Sequence, residues 1–214
     1  MLPFFPSPSL AAGYVVACVL LAATPGADMA VFVSRTLRGG RAQGLAALGG
    51  AINGLLIHSI AAAVGLSALL AASAEAYQTV KVAGGIYLLW LAFSALRHGA
   101  ALKLKSGCAA PGGVSGAFVN GLLVNLTNPK IVIFFVTFLP QFTDARDPNV
   151  SAKLFALGLF FIAIGGAVAA VVIFVAARFV SAANAHPRAL RLFDYGFAAL
   201  MSAFAARLVW SERR

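Results

Sequence analysis

Acidic residues are scarce in this sequence: six Asp and Glu stand against 16 Lys and Arg among 214 residues, for a net charge of +10. In a soluble protein that imbalance would suggest a nucleic-acid partner. Here charged residues make up only 10% of the chain and hydrophobic ones 61%, which excludes an ordinary soluble domain. Cysteine is also scarce. Cys18 and Cys108 form no CxxC pair and no metal-ligand spacing, so each reads as an inert thiol. The three histidines are scattered, and no cluster of His, Cys or carboxylate suggests a bound metal or other cofactor. No Lys or Arg precedes Arg35, so the basic start of a cleavable signal peptide is missing and the first apolar segment is expected to be retained.

Long charge-free runs take the place of what is missing. Residues 1–27, 42–74, 106–129 and 154–177 carry no charge. A bilayer core is crossed by about 20 apolar residues of helix, so these runs predict an all-α, polytopic membrane protein. Apolar periodicity and charge positions place six spans near 9–34, 42–71, 76–97, 115–140, 152–178 and 189–210. The segment 102–113, with Lys103, Lys105 and Pro111-Gly112-Gly113, divides one transmembrane domain, 1–214, into repeats of about 1–101 and 114–214. Three spans per half force the halves into opposite orientations, which is the geometry of an inverted repeat.

Loop charges alternate as such a topology requires. Arg35, Arg38 and Arg41 fill the first connection, Arg97, Lys103 and Lys105 the third, and Arg178, Arg188 and Arg191 the fifth. The second and fourth are near neutral. Basic loops face the cytoplasm, which puts both termini outside. The external Arg213-Arg214 runs against this, and Arg191, Asp194 and Arg207 encroach on the sixth span. Five spans with a C-terminal surface helix form the alternative.

Two proline breaks interrupt the first and fourth spans at matching places: Thr24-Pro25-Gly26 and Asn128-Pro129-Lys130. Thr and Asn are favourable N-caps and Pro suits the first helical position, so each break predicts a second half-helix starting inside the membrane. Backbone N–H groups at such starts attract carboxylates. Paired interruptions of this kind point to the substrate site of a transporter.

Asp28 is the one acidic residue set well inside an apolar span. A carboxylate there costs about 2.5–3.5 kcal/mol on insertion scales unless it has a partner or a wet cavity. The first turn of a half-helix favours it. Lys130 is the opposite case, because an ammonium is misplaced at a helix N-terminus. Either a carboxylate compensates it, from Asp28 or from a bound substrate, or it snorkels to the nearer interface. Asn125, one turn before the second break, is a cavity candidate. Asn53, His58 and Asn120 read more simply as hydrogen-bonded helix contacts. The glycines of the second, third and fifth spans, Gly50, Gly54, Gly84-Gly85 and Gly165-Gly166, read as close-packing positions.

These residues also carry a family likeness. The string Ala23-Thr24-Pro25-Gly26-Ala27-Asp28-Met29, with Gly39-Gly40-Arg41-Ala42-Gln43-Gly44, resembles the first-span signature of the LysE/RhtB superfamily of amino-acid exporters. Asn125-Leu126-Thr127-Asn128-Pro129-Lys130 and Pro140-Gln141-Phe142 are similar to its second motif, the latter in the RhtB-like form. The family's motif usually has a second proline where Ala27 stands. The resemblance implies a multi-pass exporter in the bacterial inner membrane, without cofactor, that exchanges protons for neutral amino acids of the homoserine or threonine type. Its partners would be the amino acid, protons and lipid, with a homo-oligomer compatible. It carries over Thr24, Pro25, Gly26, Asp28, Asn128, Pro129 and Lys130 as motif positions. Two rival readings share the inverted-repeat architecture: a membrane thiol-redox conduit, which needs a cysteine in each matching span, and a metal-ion exporter, which needs clustered ligands.

Overall fold

The computed structural model describes residues 8–66, 112–143 and 147–176 continuously, with scattered positions between 68 and 97 and between 178 and 206. Helix dominates and no strand occurs among the described residues. Helix α1 runs Pro8–Ala23 and α2 runs Ala27–Ala61, ending in a π-helical turn, Ala62–Leu66. Helix α3 is Gly113–Leu126 and α4 is Pro129–Ile133. Helix α4 continues through a π-helical turn, Phe134–Phe138, and a 3-10 turn, Leu139–Phe142. Helix α5 is Val150–Phe174. Ala27–Leu66 and Val150–Phe174 are each long and apolar enough to cross a membrane. Gly113–Leu126 with Pro129–Phe142 makes a third span if that pair, bent by 50°, is counted as one. Most of 76–97 and 189–210, the connection 102–111 and Cys108 lie outside the described residues.

Both breaks occur where the prolines stand. The connection read at 35–41 is far tighter than a loop. Helical hydrogen bonding runs through it, and the departure is at Gly40, with φ 76° and ψ 174°. That left-handed φ suits glycine, which lacks the Cβ that would clash. The chain reverses there. A Cβ on Gly44 would fall 2.0 Å from the Thr36 hydroxyl, whereas residues eight apart in a straight helix lie about 12 Å apart along its axis.

Close packing holds α2 against α3. A Cβ on Gly50 would lie 2.0 Å from the Phe118 carbonyl, and one on Gly121 would lie 2.0 Å from the Ala47 carbonyl. In lipid, such backbone approach replaces the hydrophobic effect as the cause of association. The expected packing role of Gly50 is met, and Gly54 makes room for Asn125, whose Oδ1 would sit 2.5 Å from an added Cβ.

Helix α5 packs on α1 and α2. At one end Tyr14 donates to the Leu157 carbonyl at 2.6 Å and joins a cluster of rings with Phe134, Phe138, Phe142 and Phe161. At the other end Arg41 donates to the Phe174 carbonyl at 3.2 Å, closing the C-terminal end of α5 where the helix dipole favours a cation. Cys18 is buried, as expected, and forms no disulfide among the described residues. In the first turn of α5, Lys153 pairs with Asp147 of the preceding segment, and that bond holds the Asp147 carboxyl below the usual carboxylate range.

Candidate functional site

The two breaks meet. Asp28, in the first turn of α2, is reached by two amides from the other half of the chain. Asn128 donates Nδ2 to Asp28 Oδ2 at 2.9 Å, and Asn125 donates Nδ2 to the same oxygen at 3.2 Å. One carboxylate oxygen therefore takes both bonds. Asp28 Oδ1 is buried without a hydrogen-bond partner, and so is Asn125 Oδ1 on a residue only 1% exposed. Buried acceptors are normally satisfied, so two orphans side by side mark a place suited to a donor.

Asn128 does two jobs. Its Oδ1 accepts from the Lys130 backbone N–H at 3.1 Å, with Pro129 at the first helical position, so the second break is capped as the sequence predicts. The first break is capped differently. The Thr24 hydroxyl turns back to the Leu20 carbonyl at 2.6 Å and belongs to the end of α1. The residue before α2 is Gly26, extended at φ −161° and ψ −168°, with no side-chain capping bond. Thr24 as an N-cap, with Pro25 as first helical residue, is thus corrected. A local hydroxyl bond to the preceding turn competed and won.

Of the partners open to Lys130 in the sequence, Asp28 is not the one it bonds. Among the described residues it forms no ion pair with Asp28. Its Nζ donates to the carbonyls of Leu21 at 2.9 Å and Thr24 at 3.0 Å, the last turn of α1. The ammonium that is misplaced at the start of α4 sits well against the end of α1, where carbonyls are orphaned and the dipole is negative. An ammonium has three donors, so one remains beyond these two bonds. Gly26 leaves it room, since a Cβ there would lie 3.3 Å from Lys130 Nζ.

These groups edge a cavity of about 60 Å³ lined at its polar end by Thr24, Gly26, Asp28, Asn125 and Lys130. That is space for several water molecules. Pro25, Asn128 and Pro129 shape the breaks without lining it. The rest of the lining is apolar and includes Leu48, Ala51 and Leu55 of α2 and Phe161, Gly165, Gly166, Ala169 and Val172 of α5. Sequence reasoning missed the α5 wall. Its signal was the spacing 161, 165, 169 and 172, which keeps those residues on one helical face. His58 stays outside the lining, with Nε2 3.4 Å from the Asn125 carbonyl and its ring stacked on Phe135. Asn53 donates to its own helix at the Gly49 carbonyl. No group of three or more His, Cys, Asp or Glu able to hold a metal occurs among the described residues.

Residues 19–212 match the LysE type translocator family. The chain is 30% identical over 141 residues to the homoserine/homoserine lactone efflux protein of Salmonella typhimurium, covering 66% of this chain and 68% of that one. It is 28% identical over 148 residues to the leucine efflux protein of Klebsiella pneumoniae, covering 68% and 70%. An uncharacterized membrane protein of Vibrio cholerae is 33% identical over 135 residues, covering 63% and 65%. No solved structure matches.

Proposed function

The chain belongs to the LysE type translocator family, and on that premise we propose that it exports neutral amino acids across the bacterial inner membrane in exchange for protons. It is a membrane transporter rather than an enzyme. The fuller architecture proposed is one transmembrane domain of two inverted three-helix repeats, with the tight reversal at Gly40 and its Arg35, Arg38 and Arg41 on the cytoplasmic side.

The single observation that supports the reading best is Asp28, contributed by one break and held by Asn125 and Asn128 from beside the other, at the edge of a shared cavity. A zwitterion has a complement there. Its ammonium meets the unpartnered Asp28 Oδ1 and Asn125 Oδ1, and its carboxylate meets the remaining Lys130 donor and the uncapped first turn of α2. The cavity widens to admit a whole amino acid as the two repeats shift about it. Protonation of Asp28 from outside removes the negative charge that holds the ammonium, so release of substrate and entry of a proton are linked. Relatives whose names specify homoserine, its lactone and leucine support the neutral class, and the RhtB-like second motif favours the homoserine and threonine type within it.

The test uses purified protein in liposomes loaded with labelled neutral amino acids, with the outer solution made more acid. Efflux is expected to exceed that from protein-free liposomes and to rise with the inward proton gradient. Asp28→Asn keeps an amide oxygen for both Asn125 and Asn128, so it folds, yet it is expected to lose the response to the gradient. Full gradient-driven efflux from that variant contradicts the coupling role. No efflux of any amino acid by the wild type contradicts the export reading itself.

A further inference from the structure

Two glycines on α5 have room for a side-chain carbon, as Gly49 does on α2, and unlike Gly49 they line the cavity. Among the glycines of the packed helices, Gly50 and Gly121 are forced by backbone contacts at 2.0 Å, and Gly158 by the Ser59 hydroxyl at 2.4 Å. Gly40, Gly112 and Gly113 are the residues with positive φ among those described. Gly165 and Gly166 fit neither group. A Cβ on Gly165 would lie 3.9 Å from Ala22 Cβ and from Phe161 Cζ, and one on Gly166 would lie 3.9 Å from Ile52 Cδ1, which is ordinary van der Waals contact. Alanine would fit at either place. The pair lies against α1 and α2, as its packing role requires, but backbone contact does not force it to be glycine.

Glycine in a helix interior is destabilising relative to alanine, because it loses more backbone freedom on folding. Two in succession at the middle of a 25-residue helix concentrate that loss. What the pair has in common is the cavity: both line it, on the face of α5 that also presents Phe161, Ala169 and Val172. The same cavity is lined by Asn125, only 1% exposed, and by Asp28, each with an unpartnered Oδ1. In a cavity of about 60 Å³, a ligand whose polar head sits at Asp28 has its tail between the same walls as Gly165 and Gly166.

The chemistry of that tail follows from what the wall lacks. Thr24 has committed its hydroxyl to the Leu20 carbonyl. Apart from Asp28, the described lining residues of α2 and α5 are Met, Phe, Leu, Ala, Gly and Val. A hydroxylated tail would lose its water there and find no partner, a penalty that an aliphatic tail escapes.

We infer that Gly165 and Gly166 are specificity-determining residues that set the size of an aliphatic substrate side chain, so that leucine and valine are preferred to homoserine and threonine. The inference rests on the export reading and narrows its substrate class, against the homoserine and threonine type favoured by the motif likeness alone. A methylene in an apolar pocket is worth about 10–200-fold in discrimination, so modest changes of volume are readable.

The experiment measures efflux of labelled alanine, valine, leucine, homoserine and threonine, each from separately loaded liposomes containing the full-length protein. Wild type is expected to export leucine and valine faster than homoserine and threonine. Gly165→Val narrows the cavity where a Cβ has room, and it is expected to lower the leucine-to-alanine rate ratio by about tenfold or more. Gly165→Ala, whose single added carbon meets only ordinary contacts, is expected to lower the same ratio by a smaller factor, and it decides the matter if the valine variant does not fold. A preference of the wild type for homoserine over leucine overturns the inference while leaving export intact. So does a ratio unmoved in folded Gly165→Ala and Gly165→Val protein. Failure of the wild type to move any of the five overturns the export reading and the inference with it.

Discussion

At the residue scale, the site depends on how few polar groups share the work. Asn128 caps α4 and also donates to Asp28, so Asn128→Ala removes two bonds at once. Loss of an N-cap costs about 0.5–2 kcal/mol. The variant is expected to lose at least that much stability, seen as a lower unfolding temperature in detergent, and to export more slowly because Asp28 is no longer held in place. Lys130→Met is expected to be at least as harmful, since the Leu21 and Thr24 carbonyls lose their donor. An unsatisfied buried acceptor costs about 1–3 kcal/mol. Thermal unfolding of the purified variant checks this, and an unfolding temperature equal to the wild type's would show that the two bonds carry no stability. The Asn128-Pro129 cap and the place of Asp28 in the first turn after the other break were legible in the sequence, because both follow from local rules. The partner of Lys130 was not. Main-chain carbonyls at the end of another helix leave no trace in residue identity, so they were not among the partners the sequence offered.

At the element scale, glycines sort into three physical kinds, and substitution separates them. Gly40→Ala forces a Cβ into left-handed backbone with nothing around it to clash, so its expected cost of about 1–3 kcal/mol is purely conformational. Gly50→Ala drives a Cβ into the Phe118 carbonyl, and overpacking of that kind costs about 1–3 kcal/mol or more. Gly165→Ala is expected to be neutral or slightly stabilising. Melting curves of the three variants rank them directly, and equal losses at Gly50 and Gly165 would contradict the sorting. The four-residue spacing of Gly50 and Gly54 announced a packing face, and the Gly165-Gly166 pair looked the same on paper. Only the distance to the neighbouring helix distinguishes a jammed glycine from a roomy one. The reversal at Gly40 was similarly hidden, since Gly39-Gly40 within a basic stretch reads as a loop until the helical hydrogen bonds on either side are seen.

At the scale of the whole molecule, the membrane class and the two breaks were readable because charge-free runs and prolines act through composition and covalent geometry. That the breaks converge was not readable in detail. It depends on how α2 packs on α3, which brings residues 97 and 100 positions apart in sequence into hydrogen-bonding contact. The central claim is that this convergence makes Asp28 the group through which amino-acid export and proton entry are linked. The most direct measurement follows internal pH with a trapped dye in liposomes loaded with leucine or with homoserine, at equal starting pH on both sides. The account predicts that the interior acidifies in step with efflux in the wild type, and that Asp28→Asn uncouples the two. Amino-acid efflux from the wild type with no acidification, or acidification of equal size in Asp28→Asn, would contradict it.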